Sequence, residues 1–129
     1  MLNSAKCVAT LATKDLAAAR AFYVDTLGLL PNVDDENGLG FTLDDGSGMM
    51  VYARPGHRAP ENTAATFVVS DVDAEAADLR RRGVSLLDYD LPDIGIKTVE
   101  GIASDDAGGK VAWFKDPDGN ILSIMEMPA

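Results

Sequence analysis

The stretch Val8-Ala9-Thr10-Leu11-Ala12-Thr13-Lys14-Asp15-Leu16 has a counterpart 56 residues further along the chain, Ala64-Ala65-Thr66-Phe67-Val68-Val69-Ser70-Asp71-Val72. Over positions 8–21, five of the fourteen aligned pairs are identical: Ala9/Ala65, Thr10/Thr66, Asp15/Asp71, Ala18/Ala74 and Ala21/Ala77. Self-similarity at a fixed spacing is typical of chains built from copies of one structural unit. The sequence therefore predicts two similar modules in tandem.

Each copy contains the same order of local signals. A short apolar run rich in β-branched residues predicts a strand. The aspartate after it, Asp15 or Asp71, suits the start of a helix because its side chain accepts hydrogen bonds from free N–H groups. Apolar residues then recur at helical spacing, and each helix is expected to end at a glycine, Gly28 or Gly83. The helical positions are Leu16, Ala19, Tyr23 and Leu27 in the first copy and Val72, Ala76 and Leu79 in the second.

Short strands separated by turn residues are predicted after each helix. They are Leu29–Asp34, Gly38–Leu43 and Gly48–Ala53 in the first module and Ser85–Asp90, Lys110–Lys115 and Ile121–Met127 in the second. The stretch Asp116-Pro117-Asp118-Gly119-Asn120 predicts a tight turn, and Leu91–Gly109 is expected to be a long loop. The order is βαβββ twice. It predicts one α+β domain over residues 1–129, with module one at about 5–54 and module two at about 63–127.

The composition narrows the classes of partner. The chain has 129 residues, and 11 basic and 21 acidic side chains give it a formal net charge of −10. A surface this acidic repels nucleic-acid phosphates and anionic membranes, so neither is an expected partner, whereas a cationic small molecule would be attracted. No stretch approaches the ~20 apolar residues of a membrane span. No targeting segment is visible either, so a cytoplasmic location is expected.

A single cysteine and a single histidine limit the chemistry. Cys7 cannot form an intrachain disulfide and is expected to be a buried, inert thiol on a central strand. His57 is the only histidine, so the chain cannot form a site that needs several histidines. Because it lies between Pro55 and Pro60, it is expected to be an exposed linker residue, and no nucleophile near it in the sequence supports a catalytic triad.

Three stretches resemble one known family. They are Lys14-Asp15-Leu16 with Ala21-Phe22-Tyr23 and Leu27-Gly28-Leu29, Val69-Ser70-Asp71-Val72-Asp73 with Leu79 and Gly83-Val84, and residues 113–120. In this order they resemble the vicinal oxygen chelate superfamily, which includes glyoxalase I, bleomycin-resistance proteins, fosfomycin-modifying enzymes and extradiol dioxygenases. The resemblance implies that the two modules form a cup-shaped mixed sheet with the helices outside, and that the protein is a homodimer.

Catalytic members of that superfamily usually hold a divalent metal through His, Glu or similar groups on the first and last strands of each module. Carried over one position at a time, the ligand positions here are Val8, Met50, Ala64 and Ser123. These side chains cannot form a metal site, and neither His57 nor Glu126 falls at a ligand position. The expectation is therefore no metal, no cofactor and no catalytic residue.

Without metal ligands, the cup is expected to be a mostly apolar pocket for a small organic ligand, cationic or aromatic. The residues expected to line it are Val8, Met50, Tyr52, Ala64, Trp113 and Ser123. By the period-2 alternation of strands, Thr10, Thr66 and Met125 share the same faces. Trp113 would either stack on the ligand or anchor the core or a subunit interface, and the sequence leaves both roles open.

Three hypotheses on function follow. The first is a metal-independent small-molecule-binding protein of the glyoxalase/bleomycin-resistance type that sequesters a drug or metabolite. The alternative is a metal-dependent lyase, isomerase or dioxygenase of the same superfamily, with non-standard ligands from His57, residues 91–109 or a partner chain. The third is a non-catalytic module that binds a macromolecular partner and no small molecule.

Overall fold

The computed structural model describes residues 1–128, whose contacts form two compact units, Met1–Ala59 and a second that begins at Pro60. Each unit contains one mixed β-sheet with a helix packed on one of its faces. The predicted α+β class is therefore confirmed. Within residues 1–128, no helix has both the length and the apolar character needed to cross a membrane.

The first unit contains four strands in the order β1-β4-β3-β2. The strands are β1 (Val8–Thr13), β2 (Pro31–Asp35), β3 (Gly38–Thr42) and β4 (Gly48–Ala53). β1 runs parallel to β4, and the other two pairs are antiparallel. Helix α1 (Leu16–Arg20) follows β1 and continues as a π-helical segment, Ala21–Thr26. A short 3₁₀ turn, Leu2–Ser4, precedes the sheet.

Helix α1 begins as predicted and then widens. Asp15 accepts a hydrogen bond from the Ala18 N–H at 3.1 Å, which confirms it as the N-cap. Further along, the Leu27 N–H donates to the carbonyl of Phe22, five residues back, so the predicted α-helix is π-helical in its second half. The core of the unit is formed by Leu11, Ala19, Tyr23, Leu39, Phe41, Met49 and Val51.

The second unit contains six strands in the order β5-β10-β9-β8-β7-β6. They are β5 (Thr63–Val68), β6 (Asp90–Leu91), β7 (Ile96–Val99), β8 (Ile102–Ser104), β9 (Lys110–Lys115) and β10 (Ile121–Glu126). β5 runs parallel to β10, which repeats the β1–β4 pairing of the first unit. Helix α2 (Val72–Arg81) is capped by Asp71, which accepts from the Ala74 N–H at 3.0 Å. The core residues are Val72, Ala76, Leu79, Val84, Ala112, Phe114, Leu122 and Ile124.

The expected loop Leu91–Gly109 is wrong, because this stretch contains the end of β6, a 3₁₀ turn (Pro92–Ile94), β7 and β8. Glu100 and Gly101 have positive φ and reverse the chain between β7 and β8. The Asp88 carboxylate ties the hairpin down, since it accepts from the Thr98 hydroxyl and the Gly101 N–H. The expected strand Ser85–Asp90 is also wrong, since only Asp90 lies in a strand, β6. The Asp88 side chain and the Tyr89 carbonyl, which accepts from the Thr98 N–H, bond to the hairpin instead.

Cys7 corrects another expectation. Strand β1 begins at Val8, one residue later, and Cys7 is exposed. Residues 1–7 are all exposed, so solvent reaches the thiol.

Candidate ligand-binding site

The first sheet has one face covered by α1 and one open face. Because side chains alternate along a strand, Met49 and Val51 point into the core while Met50 and Tyr52 lie on the open face, with 46% and 37% of their surfaces exposed. Thr10 pairs directly with Met50 in the parallel register, which places Val8 on the same face, two residues earlier. Three of the predicted ligand-binding residues, Val8, Met50 and Tyr52, therefore share this surface.

The second sheet also has an open face, opposite α2. Ser123 in β10 pairs with Thr66 in β5 on one side and with Trp113 in β9 on the other, so all three share this face. Ser123 is only 2% exposed, and its hydroxyl lies 2.8 Å from that of Thr66. Ala64 precedes Thr66 by two residues and is half-buried. It lies at the point where the register between β5 and β10 is irregular. Ser123 is thus part of the floor of this surface, with its hydroxyl already bonded.

A cavity of about 340 Å³ lies on this open face. Its apolar walls are Ile96, Ala103, Val111, Trp113, Met125 and Met127. We call it the Trp113 cavity. The Trp113 indole packs edge-on against Tyr89, with ring centroids 5.1 Å apart, which fixes its orientation. The structure gives the indole N–H no hydrogen-bond partner within residues 1–128, so a flat ligand in the cavity would meet an aromatic wall with one free donor.

Two charged side chains at the rim of the Trp113 cavity, Lys110 and Glu126, bond to the first turn of α2. The Lys110 ammonium pairs with the Asp73 carboxylate, and this hydrogen bond and charge raise the pKa of Lys110. Glu126, which lies opposite Lys110 in the β9–β10 register, accepts a hydrogen bond from the Val72 N–H at 2.9 Å. Both groups therefore fix the position of the helix relative to β9 and β10 and define one end of the cavity.

The ion pair leads to a prediction about titration. Replacing Asp73 by asparagine should lower the pKa of Lys110 towards its ordinary 10.5, because the acceptor charge is lost. Because the pKa of Lys110 is higher in the folded state, the ion pair stabilises that state at pH values below the ordinary pKa. This stabilisation is lost as the pH rises through the raised pKa. NMR titration of the Lys110 side chain measures the shift. Asp93→Asn, which removes an equal charge from an exposed turn, is the control, and an unchanged Lys110 pKa in Asp73→Asn would contradict the pairing.

A second, smaller hollow of about 230 Å³ lies on the open face of the first sheet. It is lined by side chains of β2 and β4 on either side of two glycines in β3, Gly38 and Gly40. We call it the first-sheet trench. Met50 and Tyr52 form one of its walls.

Several residues that line the Trp113 cavity were not predicted from the sequence. Ile96 and Ala103 belong to the stretch expected to be a loop, and Lys110 and Glu126 show their relation only through the β9–β10 register. The stretch Ile96-Lys97-Thr98-Val99 did contain a signal, because three of its four residues are β-branched and such residues are enriched in strands.

The sequence matches the family model of the glyoxalase/bleomycin resistance protein/dioxygenase superfamily over residues 7–124. The chain belongs to this superfamily. No curated protein matches the sequence.

Several solved structures are similar to this one over almost the whole chain. A glyoxalase/bleomycin resistance protein from Catenulispora acidiphila is 25% identical with a TM-score of 0.66, over 97% of this chain and 100% of that one. A superfamily member from Sphaerobacter thermophilus is 21% identical with a TM-score of 0.72, over 98% and 100%. The oxidase ChaP-H2 is 23% identical with a TM-score of 0.67, over 96% and 94%. The last two likenesses show a shared fold and nothing about the reaction.

The residues present do not fit the metal that catalytic members of the superfamily carry. The parallel register places Thr10 beside Met50 and Thr66 beside Ser123, with Val8 and Ala64 two residues earlier on the same strands. None of these side chains is a carboxylate, imidazole or thiolate, the donors that hold divalent metals in proteins. Within the described part of the chain, no three His, Cys, Asp or Glu side chains are grouped so as to hold a metal ion.

Proposed function

We propose that this superfamily member binds a small organic molecule without a metal ion and acts by sequestering a drug or metabolite. The Trp113 cavity carries the proposal. Its size falls in the range of small-molecule pockets, and its walls are apolar and aromatic, as such pockets usually are.

The groups around the cavity favour binding over catalysis. The Ser123 hydroxyl is buried against Thr66, and the Lys110 and Glu126 side chains already hold the start of α2. A nucleophile or general base must reach the reacting atom of the substrate, and these groups are bonded within the protein instead. Within residues 1–128 the Trp113 indole N–H is a donor without a hydrogen-bond partner; it can orient a ligand by one hydrogen bond but cannot take up a proton.

The proposal includes a homodimer in solution. Val68 on edge strand β5, Val99 in β7 and Met127 after β10 each expose more than half of their surface, and a second copy would remove these apolar side chains from water.

Fluorescence of Trp113, the only tryptophan, tests ligand binding directly. Titration of the untagged protein with 2-naphthol, a neutral aromatic probe, should quench the emission and saturate. Ala103 lies on the cavity wall, across from Val111, so Ala103→Leu should fill the space and weaken binding about tenfold. The matched control is Ala107→Leu in an exposed turn, which should leave the affinity unchanged. Equal affinities of the two variants would contradict the site.

Elemental analysis of the same untagged protein tests metal independence. We expect less than about a tenth of an equivalent of any divalent metal after dialysis, because the donor set is apolar or uncharged. One retained equivalent that an activity requires would overturn the proposal in favour of a lyase, isomerase or dioxygenase with non-standard ligands.

A further inference from the structure

A polar cavity of about 420 Å³ lies where the end of α2 meets the turn between β7 and β8. Its lining combines charged and hydroxyl groups with apolar side chains: Arg80, Asp88, Glu100, Ser85, Val84 and Leu86. We call it the Arg80 cavity. None of its lining residues lines the Trp113 cavity, so the two hollows are separate features of the second unit.

The turn between β7 and β8 is fixed where it meets the segment after α2. Glu100 and Gly101 reverse the chain with φ values of 51° and 81°. A Cβ on Gly101 would lie 2.6 Å from the Cβ of Leu86, so only glycine allows the two segments to approach this closely. Gly101 is buried at this contact and gives the Arg80 cavity a rigid base.

Two opposite charges reach this turn from different elements without forming an ion pair. The Arg80 guanidinium, in the last turn of α2, donates through Nη2 to the Glu100 carbonyl. The Asp88 Oδ1 atom accepts from the Gly101 N–H and the Thr98 hydroxyl, both at 3.0 Å. Within residues 1–128, neither Arg80 nor Asp88 belongs to an ion pair.

Both charged groups keep unused hydrogen-bonding capacity. The bond to Glu100 uses one N–H of a guanidinium that carries several, and within residues 1–128 the Oδ2 atom of Asp88 has no partner. A Cβ on Gly101 would lie 3.3 Å from Arg80 Nη2. Because the Gly101 N–H also bonds Asp88 Oδ1, that nitrogen and that oxygen are at most about 9 Å apart. The gap between them can hold a small ligand that carries both charges.

The chemistry of the Arg80 cavity favours a zwitterion over an ion of one sign. The ammonium and carboxylate of an α-amino acid lie about 3 Å apart, so with a charge-assisted hydrogen bond of about 2.8 Å at each end they bridge up to about 9 Å. A simple organic anion would be repelled by Asp88 and Glu100, and a simple cation by Arg80. Val84 and Leu86 offer an apolar surface beside the charges.

From this geometry we infer that the Arg80 cavity binds a free α-amino acid with an aliphatic side chain. The carboxylate of the ligand accepts from the Arg80 guanidinium, and its ammonium group donates to Oδ2 of Asp88. The aliphatic side chain lies against Val84 and Leu86. This site shares no lining residue with the Trp113 cavity, so it goes beyond the function proposed there.

Amide NMR of the full chain locates the site, with L-leucine as the probe. Titration should shift the N–H signals of Gly83, Ser85 and Gly101 in a saturable way, because these residues line the Arg80 cavity. Gly95 and Gly109 line the Trp113 cavity and should not respond. N-acetyl-L-leucine lacks the ammonium group and L-leucinamide lacks the carboxylate, so each should bind at least about tenfold less tightly than L-leucine.

Replacing the carboxylate of Asp88 tests the ammonium contact. Asp88→Asn keeps an Oδ1 acceptor for the Gly101 N–H, so the turn should fold, and it should weaken L-leucine binding about tenfold. The matched control is Asp90→Asn, which removes the same charge from an exposed residue two positions along the chain. It should change the affinity by less than about twofold, because solvent screens an exposed charge.

Replacing the guanidinium of Arg80 tests the carboxylate contact. Arg80→Gln keeps an N–H donor for the Glu100 carbonyl but removes the charge, and it should also weaken L-leucine binding about tenfold. Arg81→Gln is the control in the same helical turn, since Arg81 pairs with Asp78 and does not line the cavity. Unchanged amide signals away from the substituted residue, in the absence of probe, show that each variant is folded.

Three results would overturn the inference: equal affinity for L-leucine and either analogue, equal effects of the two members of either variant pair, or no saturable shift at Gly101. A response to L-leucine confined to Gly95 and Gly109 would overturn it as well, and would leave the function proposed for the Trp113 cavity intact. Conversely, a response at Gly101 supports the Arg80 cavity even if 2-naphthol fails to bind near Trp113.

Discussion

Replacing Phe114 by alanine is expected to lower the free energy of unfolding by about 4 kcal/mol, the largest stability effect that we predict. Phe114 is 1% exposed and lies on the α2 side of β9, where it pairs in register with Leu122. The β-bridge to Leu86 also fixes the segment after α2 at this residue. Truncation removes the transfer free energy of the ring and leaves a cavity that α2 and β10 cannot close.

Urea unfolding followed by Trp113 fluorescence measures this change, because the tryptophan is the adjacent residue and reports on the same sheet. Leu30→Ala is the control: its side chain is 84% exposed, so the free energy of unfolding should change by less than about 0.5 kcal/mol. If Phe114→Ala lowered the free energy of unfolding by less than about 1 kcal/mol, the effect of an ordinary substitution, the packing of α2 on β9 at this residue would be wrong.

The second large effect concerns the turn between β9 and β10. Asp116→Ala is expected to lower the free energy of unfolding by about 3 kcal/mol, since buried donors would lose their acceptor. The buried carboxylate accepts from the N–H groups of Asp118 and Asn120, at 3.0 and 2.9 Å, and from the Asn120 side chain at 2.8 Å. Water cannot replace these bonds without opening the turn.

A matched control for Asp116 exists in the same unit. Asp105 also accepts from two backbone N–H groups of its own turn, those of Ala107 and Gly109, but Asp105 is exposed. Asp105→Ala should therefore have a smaller effect, about 1 kcal/mol, because water satisfies most of the freed donors. The same urea experiment compares the two variants, and equal losses would show that burial does not set the energetic cost at Asp116.

These two residues also bear on the proposed function. Phe114 and Asp116 hold β9 against α2 and β10, and β9 carries Trp113 and Val111 on its opposite face. A variant that weakens this packing should lose ligand affinity together with stability. Ala103→Leu, in contrast, should lose affinity with the fold intact, so the two kinds of variant separate a structural effect from a binding effect.

Much of the fold was predictable because its signals are local. Asp15 and Asp71 cap the two helices as expected, since a cap depends on hydrogen bonds within one turn. Strands β3, β4, β9 and β10 lie within two residues of their predicted bounds, because apolar-polar alternation and flanking turns are read over a few residues. The hairpin of β7 and β8 was missed since its strands have only four and three residues and depend on the distant Asp88.

The sequence by itself determined the family, the order of helices and strands in the two modules and the helix caps. Only the tertiary structure decided which side chains act together. Lys110 meets Asp73 across 37 positions, and Asp35, Gly38 and Tyr52 form one row through the register of three strands. Register and helix docking result from the packing of whole faces, in which a shift of one residue would move every side chain to the opposite side. No local pattern carries that information.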